Sequence, residues 1–477
     1  MNTLETRNLI GGRWVEADDR GTFDVLDPAT DEVVASVPNA GAAEVVRAID
    51  AAAAVGAEWA ATAVETRVAI LHRIAAGLLD ATDELAAIIV RENGKPLREA
   101  KAEVAYAASF FPAAADAVPG IVDESVAVDG KRIRVRYRPV GVSAAITPWN
   151  FPLAMLAKKT APALATGCPQ IVKPAEQTPL SAIAFARIAG EAGLPPGVLG
   201  LVTGDPAAIG AAILGDPRVR KLSFTGSTEV GRLLMRSAAD RMVRLSLELG
   251  GHAPILIFED ADLDEAVRIA IAAKFRNGGQ TCVCPNRFLV HRSIHDDFVE
   301  RLSAAVASLV SGRGDDEAVD LGPLIDDDGM RKVMDHVADA VARGATVTTG
   351  GGRRTIAGCV DRFPEPTVLT DVGPGMRCWH EETFGPVCPV RGFDDEAEAI
   401  ALANDTEYGL ASYAITQDDD RIERLAGSLE SGIIGINDPV PAIAAVPFGG
   451  LKHSGFGREG GKWGVREYLE PVTVSRM

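Results

Sequence analysis

From about residue 142 onward, the sequence alternates short apolar runs with longer helical stretches. GVSAAITPWNFP (141–152) ends in a proline-rich turn and is followed by the helix-like LAMLAKKTAPALATG (153–167). PQIVKPAE (169–176) and VRKLSFTGSTEVG (219–231) repeat this strand–turn–helix form. Strands that alternate with helices predict a parallel sheet covered by helices. We therefore predict an α/β fold.

A second set of strand-like runs begins at residue 253, and helical stretches again separate its members. The chain passes between the two sets at LELGG (247–251), where an apolar run ends in two glycines. We therefore predict two α/β lobes that meet near this boundary. The runs of the second set are APILIF (253–258), RFLVHR (287–292), ATVTTGG (345–351) and ASYAIT (411–416).

Three other segments have their own patterns. Residues 41–118 carry apolar side chains at three- and four-residue spacing and are predicted to be helical. KRIRVRYRPVG (131–141) alternates basic and apolar residues, and YLEPVTVSRM (468–477) is also strand-like. These two strands could pair and reach another subunit, or could form an ordinary edge that charges protect from aggregation.

The charge and composition exclude several classes of function. The 477 residues carry a formal net charge of −18, and an acidic chain repels the phosphates of nucleic acids. No segment approaches the roughly 18 apolar residues of a membrane span, and the N-terminus lacks a signal-like apolar stretch. The six cysteines are few and irregularly spaced, which is typical of a reducing compartment. We expect a cytoplasmic protein with neither nucleic acid nor membrane as a partner.

Two glycine-containing motifs are candidates for a dinucleotide site. GFGREG (455–460) has the spacing of the dinucleotide fingerprint, but too few residues follow it to build a βαβ unit. FTGSTEVG (224–231) follows a predicted strand and opens a helix. Gly226 and Ser227 could therefore present hydrogen-bond donors to a phosphate, although a simple helix N-cap is equally compatible.

VKPAE (172–176) lies at the predicted carboxyl end of a strand, where ligands of open α/β sheets bind. Lys173 could reach a ribose or a phosphate. Glu176 could accept hydrogen bonds from a ribose 2′-hydroxyl and would repel a 2′-phosphate, which favours NAD over NADP. Alternatively, the two side chains could form a surface ion pair worth ~1 kcal/mol or less.

The stretch FRNGGQTCVCPNR (275–287) places Cys282 and Cys284 one residue apart. With His291 and His295 they do not have a usual zinc spacing, so we predict no metal. A disulfide between them would close a tight, strained ring that is easily reduced, so it could serve as a reversible redox guard. Both cysteines could also be buried packing residues, or one of them could be a nucleophile.

Two distant residues fit the roles that a cysteine nucleophile requires. Asn150, in the turn after a predicted strand, could donate its amide to an oxyanion. Glu248 ends an apolar strand, and burial raises the pKa of a carboxyl group, which suits a general base. The sequence alone does not bring these residues to Cys282.

Taken together, the motifs resemble those of the NAD(P)-dependent aldehyde dehydrogenase superfamily over nearly the whole chain. They stand in the family's order and at its spacing. They are TPWNFP (147–152), KPAEQTP (173–179), FTGST (224–228), LELGG (247–251), FRNGGQTC (275–282), EETFGP (381–386) and PFGGLKHSGFGRE (447–459).

The resemblance implies a catalytic set. Cys282 matches the nucleophile, which would attack the aldehyde carbon. Asn150 matches the oxyanion donor, and Lys159 matches a lysine that helps to hold this asparagine. Glu248 matches the base that activates water to hydrolyse the thioester after hydride has left for the nicotinamide. Glu459 matches a second glutamate that is sometimes assigned a proton relay.

The resemblance also implies a cofactor site and a domain plan. An NAD-binding domain would comprise residues 1–120 and 141–248, with a catalytic domain at 249–460. Residues 121–140 and 461–477 would form an arm through which the chain assembles with itself into a homodimer or homotetramer. The implied cofactor residues are Trp149, Lys173, Glu176, Gly226, Ser227, Glu382 and Phe384.

Within the family, the sequence looks most like the succinate-semialdehyde dehydrogenases. Arg276 matches an arginine that binds the substrate carboxylate there, and Cys284 is typical of that group and could support a redox switch. A second arginine of the group is replaced by Lys158, which attracts a carboxylate but cannot bind it through two parallel hydrogen bonds as an arginine does. Ile443 lies in a loop that usually supplies a serine. Arg276 could instead form a structural salt bridge.

Other functions remain open at this stage. The apolar loop 440–446 is compatible with a broad dehydrogenase of aliphatic, aromatic or hydroxylated aldehydes. A non-catalytic homologue is disfavoured because Cys282, Glu248 and Asn150 are all present. An acylating relative that uses coenzyme A usually lacks the base that Glu248 matches.

Overall fold

The computed structural model describes residues 4–476. Residues 1–3 of the predicted NAD-binding domain and residue 477 of the predicted arm lie outside the described residues. The strands are β1 (Asn8–Ile10), β2 (Arg13–Val15), β3 (Thr22–Leu26), β4 (Val33–Pro38), β5 (Glu124–Val128), β6 (Lys131–Pro139), β7 (Val142–Ile146), β8 (Gln170–Lys173), β9 (Leu199–Leu201), β10 (Val219–Thr225), β11 (Arg244–Glu248), β12 (Ala253–Ile257), β13 (Pro285–His291), β14 (Thr346–Thr349), β15 (Thr367–Thr370), β16 (Val387–Phe393), β17 (Tyr408–Gly409), β18 (Ala411–Ile415), β19 (Ile433–Ile436), β20 (Leu451–Lys452), β21 (Gly455–Phe456) and β22 (Leu469–Arg476).

The helices alternate with these strands over most of the chain. They are α1 (Ala42–Ala61), α2 (Val64–Asp80), α3 (Thr82–Asn93), α4 (Leu97–Ala117), α5 (Pro152–Thr166), α6 (Leu180–Glu191), α7 (Pro206–Gly215), α8 (Thr228–Ala239), α9 (Leu263–Lys274), α10 (His295–Ala307), α11 (Asp327–Ala342), α12 (Arg377–His380), α13 (Glu396–Asn404), α14 (Asp419–Ser428) and α15 (Gly461–Arg466). In the part of the chain that the structure describes, none of them has the length and apolar character needed to cross a membrane.

Two large sheets form the centre of the molecule. The first sheet has the strand order β2-β1-β9-β8-β7-β10-β11-β21, and its five central strands are parallel. The second has the order β14-β15-β16-β13-β12-β18-β19, and all but β14 run parallel. Helices cover both faces of a parallel sheet, which explains why β8 and β12 consist entirely of buried residues. The predicted α/β fold is confirmed.

The chain crosses from one sheet to the other within four residues. β11 ends at Glu248, and β12 begins at Ala253, so the predicted boundary at 247–251 is where the two sheets meet. The carboxyl ends of β7, β10 and β11 lie side by side in the first sheet. The turns that follow these three strands therefore meet at one edge, facing the second sheet.

The predicted helical region and the predicted strand pair are both observed. Residues 41–118 form α1 to α4, and the Glu44 carboxylate accepts a hydrogen bond from the Gly41 amide at the start of α1. β6 and β22 pair antiparallel over eight residues, and β5 pairs with the other side of β6. The predicted second arm segment begins as helix α15 before it becomes strand β22.

Helix α5 is buried along its whole length, and a carboxylate of a neighbouring helix holds its first turn. Glu103 of α4 accepts hydrogen bonds from the Leu153 and Ala154 amides at 3.0 and 3.2 Å. Its other oxygen accepts from Lys95 Nζ at 2.5 Å, and both side chains of this ion pair are fully buried. Lys95 Nζ also donates to the Asn150 carbonyl at 2.8 Å, so the pair positions the turn before α5.

We expect Glu103→Ala to lower the free energy of unfolding by ~3–5 kcal/mol, because it would leave the Lys95 ammonium buried without a counter-charge. The measurement is the urea midpoint of the purified protein. Glu84→Ala is the control, since Glu84 pairs with Arg187 at the surface and should contribute less than ~1 kcal/mol. Equal midpoints for the two variants would contradict the prediction.

Candidate active site

Two cavities meet at Cys282, between the edge of the first sheet and the loop that precedes β13. The first cavity, of about 320 Å³, runs along the turns after β7, β10 and β11. The second, of about 390 Å³, lies on the opposite side and is mostly apolar. Asn150, Thr225 and Cys282 line both cavities. A ligand in either cavity therefore reaches the same sulfur atom and the same amide.

Glycines fix the backbone of the Cys282 loop. Gly279 has a φ of +77°, and a Cβ atom there would overlap the Gly385 carbonyl. Gly251, from the LELGG motif, lies so close to the Cys282 carbonyl that a Cβ atom would overlap its oxygen. Only glycine permits these approaches, so the two motifs hold the Cys282 loop against the end of the first sheet.

The Cys282 thiol is half-buried at the junction of the cavities. Burial and, to a smaller extent, the carboxylate of Glu382 raise the pKa of this thiol to about 12, against the opposing effect of Lys158. Without a ligand, the sulfur is therefore protonated at neutral pH. The thiolate, which is the reactive form, has to be generated by a nearby base.

The side-chain amide of Asn150 is positioned by hydrogen bonds on several sides. Its Nδ2 donates one hydrogen to the Gln280 carbonyl at 3.1 Å, which leaves the second hydrogen for a ligand. Its Oδ1 accepts from the Phe151 amide at 3.1 Å, and the main-chain carbonyl of Asn150 accepts from Lys95 Nζ and Asn277 Nδ2 at 2.8 and 2.9 Å. The structure places Asn150 in the wall of the same two cavities as Cys282, and its role as an oxyanion donor stays a prediction.

Lys159, which we expected to help hold Asn150, has a different partner. Its Nζ donates to Glu459 Oε1 at 2.5 Å, and Ser223 Oγ donates to the same oxygen at 3.2 Å. Burial raises the pKa of Glu459, but the ammonium groups of Lys159 and Lys158 outweigh this effect and leave the pKa below its ordinary value. A buried ammonium requires an anionic partner, and Glu459 provides it. Within residues 4–476 Lys159 makes no hydrogen bond to Asn150, and its expected role stays a prediction.

Glu248 ends β11 and is almost completely buried. Among the described residues, neither of its carboxylate oxygens has a hydrogen-bond partner. Burial raises the pKa of Glu248 well above its ordinary value, and the neighbouring Glu459 raises it further. A raised pKa makes the Glu248 carboxylate a stronger base than an exposed glutamate, which suits a general base.

Three of the expected cofactor residues, Trp149, Glu382 and Phe384, line a slot in the first cavity. Trp149 and Phe384 meet edge to face, with ring centroids 5.5 Å apart, and Phe384 has a φ of +57°, a left-handed backbone conformation that is rare outside glycine. Glu382 Oε1 accepts from the Gly251 amide at 2.9 Å, and burial raises the pKa of Glu382 to about 7. A Cβ atom at Gly250 would come within 3.0 Å of Glu382 Oε2, so this glycine leaves the slot open.

Gly226 and Ser227 lie at the start of α8, as the sequence predicted. Ser227 Oγ accepts a hydrogen bond from the Val230 amide at 3.3 Å and is therefore the N-cap of the helix. Both residues also line the first cavity. The helix cap and the phosphate site are thus compatible, because a capped helix N-terminus can still face a phosphate.

Lys173 ends β8, and its Nζ donates to Glu176 and to the Pro174 carbonyl. The Lys173 carbonyl accepts from the Thr147 amide at 3.1 Å, which places this pair beside the turn that carries Trp149. Lys173 is buried, while the Glu176 side chain is 38% exposed. The carboxylate can therefore meet a ligand from solvent while the lysine holds it.

Sequence reasoning missed the contribution of α11 to the first cavity. Asp326 is the N-cap of this helix and accepts from the Gly329 amide at 2.8 Å. The run of aspartates before Gly329 signals a helix start, but nothing in the sequence places that start near Cys282. The residues of this segment that line the cavity are Ile325, Asp326, Asp328, Gly329 and Lys332.

The second cavity has two basic groups in an otherwise apolar wall. Lys158 Nζ lies 3.1 Å from the centroid of the Phe448 ring, and the Arg276 guanidinium lies 5.6 Å from that of Phe151. Both cations contact the cavity, and so does Ile443, which is 55% exposed. The sequence placed Lys158, Arg276 and Ile443 near the substrate but missed the cavity residues of α4, which are Glu99, Ala102, Glu103 and Tyr106.

Cys284 lies behind the site and is fully buried. Its Sγ is 3.2 Å from the Gly279 carbonyl and 3.7 Å from Lys274 Nζ. Both cysteines have free thiols in the structure. A redox switch between Cys282 and Cys284 stays a prediction.

The comparisons with known proteins agree with this geometry. The pattern of the aldehyde dehydrogenase family matches residues 14–474, so the chain belongs to this family. It is 49% identical to a glutarate-semialdehyde dehydrogenase of Pseudomonas putida over 97% of this chain and 95% of the relative. It is 47% identical to an NADP⁺-linked succinate-semialdehyde dehydrogenase of Escherichia coli, over 98% and 97%.

Two further similarities concern the fold and the range of substrates. A 3-sulfolactaldehyde dehydrogenase of Pseudomonas putida is 45% identical over 98% of this chain and 96% of its own length. The crystal structure of a succinate-semialdehyde dehydrogenase from Burkholderia pseudomallei superposes with a TM-score of 0.97, at 50% identity, and covers 99% of this chain and 98% of that chain. The protein is therefore an NAD(P)-dependent aldehyde dehydrogenase.

The raised pKa of Cys282 predicts how this thiol reacts with an alkylating reagent. Without cofactor, we expect the rate of alkylation by iodoacetamide to rise about tenfold per pH unit from pH 7 to pH 10, because the thiolate fraction grows in that proportion below the pKa. The measurement is the mass-spectrometric rate of modification of the peptide that contains Cys282. A cysteine peptide with a pKa of about 8.5 is the control and should level off by about pH 9.5. A similar plateau for Cys282 would contradict the prediction.

Proposed function

We propose that the protein oxidises succinic semialdehyde to succinate with NAD⁺ as the hydride acceptor. The observation that carries this proposal is the excess of positive charge in the second cavity, beside the nucleophile. Lys158 Nζ and Arg276 Nε are buried and have no hydrogen-bond partner within residues 4–476. A carboxylate at the far end of a short aldehyde would supply the missing partner.

The two carboxylates that line the second cavity, Glu99 and Glu103, do not cancel this excess. Glu103 lines the cavity but is already paired with Lys95. Glu99 accepts from the Asn277 amide at 2.7 Å, and burial raises the pKa of Glu99, which favours its neutral form. An anionic ligand is therefore favoured over a neutral one.

The relatives support an anionic substrate of this size. The names of the three curated relatives describe aldehydes that end in a carboxylate or a sulfonate. Lys158 favours such an anion by charge but lacks the forked geometry of an arginine. The apolar loop with Ile443 supports the second candidate, a broad dehydrogenase of aldehydes without a charged end.

Asn150 and Cys282, which line both cavities, and the buried Glu248 support oxidation in two stages. Glu248 takes the proton of the Cys282 thiol and later passes it to solvent. The Cys282 sulfur attacks the aldehyde carbon as the C=O π bond breaks, and the free Asn150 Nδ2 hydrogen and the Cys282 amide stabilise the oxygen anion that forms. Bound NAD⁺, held by the residues of the first cavity, supplies the acceptor for the hydride. Glu248 then takes a proton from the water that hydrolyses the thioester, and the carboxylic acid leaves.

Glu176 supports NAD⁺ over NADP⁺. Its carboxylate is held by Lys173 at the carboxyl end of β8 and is open to solvent. A ribose hydroxyl could donate to it, whereas a phosphate would be repelled.

For the substrate, we expect kcat/KM for succinic semialdehyde to exceed that for butanal by ~100-fold, or about 2.7 kcal/mol. The two aldehydes differ mainly in the terminal carboxylate. Initial rates of NADH formation with the reduced enzyme measure the ratio, and glutaric semialdehyde tests whether a longer chain fits better. Equal values for butanal would show the broad dehydrogenase instead.

Arg276→Ala should bring this ratio towards one, because it removes the cation that can bind a carboxylate through two hydrogen bonds. Arg268→Ala in the same region is the matched control, since Arg268 pairs with Glu265 at the surface. If Arg276→Ala lowers kcat/KM equally for both aldehydes, Arg276 has a structural role.

For the cofactor, Glu176→Ala should raise kcat/KM for NADP⁺ relative to NAD⁺ by about tenfold, which corresponds to ~1.4 kcal/mol of repulsion removed. The measurement is the ratio of the two values at saturating aldehyde. Glu191→Ala, at an exposed position of α6, should leave the ratio unchanged. A wild-type enzyme that already uses NADP⁺ as well as NAD⁺ would contradict the proposed preference.

A further inference from the structure

The acid groups of the active site form one buried cluster with Lys158. Within the described part of the chain, three of its polar groups lack hydrogen-bond partners: both oxygens of Glu248, Oε2 of Glu459 and Nζ of Lys158. Lys158 Nζ is 3.9 Å from Glu459 Oε2. Unpaired polar atoms are costly in a protein interior, so this arrangement calls for a physical reason.

A short backbone bridge holds the cluster together. The Phe448 and Glu459 amides each donate to the other residue's carbonyl, at 2.7 and 2.8 Å. The Phe448 ring carries the Lys158 ammonium at 3.1 Å from its centroid. The next residue, Gly449, lies so close to Glu248 that a Cβ atom would come within 2.9 Å of Oε1. The Lys158 ammonium and the Glu248 carboxylate therefore contact the segment Phe448–Gly449, which is paired with the residue that carries the Glu459 carboxylate.

In the described part of the chain, Lys158 is the lysine of this cluster whose ammonium has no hydrogen-bonded carboxylate. Lys159 is bound to Glu459 Oε1, whereas Lys158 Nζ lies over the Phe448 and Phe110 rings and 3.9 Å from Glu459 Oε2. Burial lowers the pKa of Lys158 and Arg276 adds to this effect, while Glu459, Glu248 and Cys282 oppose it and favour the ammonium form. An ammonium in this position stabilises the ionised form of each nearby carboxylate.

We propose that Lys158 is a positioning residue for the general base: its ammonium supplies the positive charge that allows Glu248 to ionise beside Glu459. The same ammonium faces the second cavity, so the terminal carboxylate of a bound substrate competes for it. This second step rests on the proposed function, whereas the first does not.

The direction of the expected effect follows from the charges. Burial raises the pKa of Glu248, and Lys158 is the first of the cations that oppose this increase, ahead of Lys159 and Arg458. Removal of the Lys158 charge would raise the pKa further. Glu248 would then be ionised only at higher pH. As the pH falls, the rate of thioester hydrolysis would begin to decline at a higher pH than in the wild type.

The test follows hydrolysis of an acyl-enzyme that carries no carboxylate. Brief reaction with p-nitrophenyl butanoate acylates Cys282 without cofactor, and intact mass follows the loss of the butanoyl group from pH 5 to pH 10. For Lys158→Met, we expect the acid limb of the hydrolysis rate to move to higher pH by roughly 1–3 units. Lys158→Arg keeps the charge and should leave the limb within about 0.3 unit of the wild type.

Two further variants make the result decisive. Lys462→Met, at an exposed lysine, should leave the limb in place. Lys158→Gln replaces the methionine variant if the latter does not fold, and it should show the same direction of shift. If a folded Lys158→Met or Lys158→Gln enzyme has the same acid limb as the wild type, the proposal is wrong.

The second step is tested in the wild type with mono-p-nitrophenyl succinate. A succinyl group on Cys282 would place its carboxylate at Lys158, so we expect its acid limb to lie at higher pH than that of the butanoyl group. If Lys158→Met shifts the butanoyl limb but the two wild-type limbs coincide, Lys158 serves the base and the proposed substrate is wrong. If the succinyl limb is displaced but the butanoyl limb does not respond to Lys158→Met, the substrate proposal survives and the inference fails.

Discussion

The close contact between Gly251 and the Cys282 carbonyl is the constraint on which the active site depends. It joins the end of β11 in the first sheet to the loop before β13 in the second. A side chain at Gly251 would push these segments apart, because backbone atoms occupy the space. The contact fixes Cys282 between two cavities, so that one sulfur atom serves both.

Burial of charge is the second principle of the site. Glu248, Glu459, Lys158 and Lys159 are nearly inaccessible to solvent, and three of these side chains have atoms without hydrogen-bond partners. Such groups interact strongly because little water screens them. The protonation of each one therefore depends on the others, and a single substitution changes the chemistry of the whole cluster.

The sequence predicts the fold and the reacting groups better than it predicts their contacts. The alternation of strands and helices gave both sheets because local periodicity specifies each element. The roles expected for Cys282, Glu248 and Asn150 came from motifs whose residues the structure brings together. The partner of Lys159 and the part that α11 takes in the first cavity depend on contacts between distant segments, and no local pattern encodes these. The most distant example is the pair Lys159–Glu459, separated by 300 residues.

The protonated state of the Cys282 sulfur affects how fast oxidants inactivate the enzyme between turnovers. Peroxides and other oxidants attack thiolates rather than thiols. Because the pKa of the Cys282 thiol is raised to about 12, the enzyme without ligand therefore resists oxidation of its nucleophilic sulfur. At neutral pH, the enzyme between turnovers is therefore expected to be oxidised more slowly than an enzyme whose resting cysteine is a thiolate.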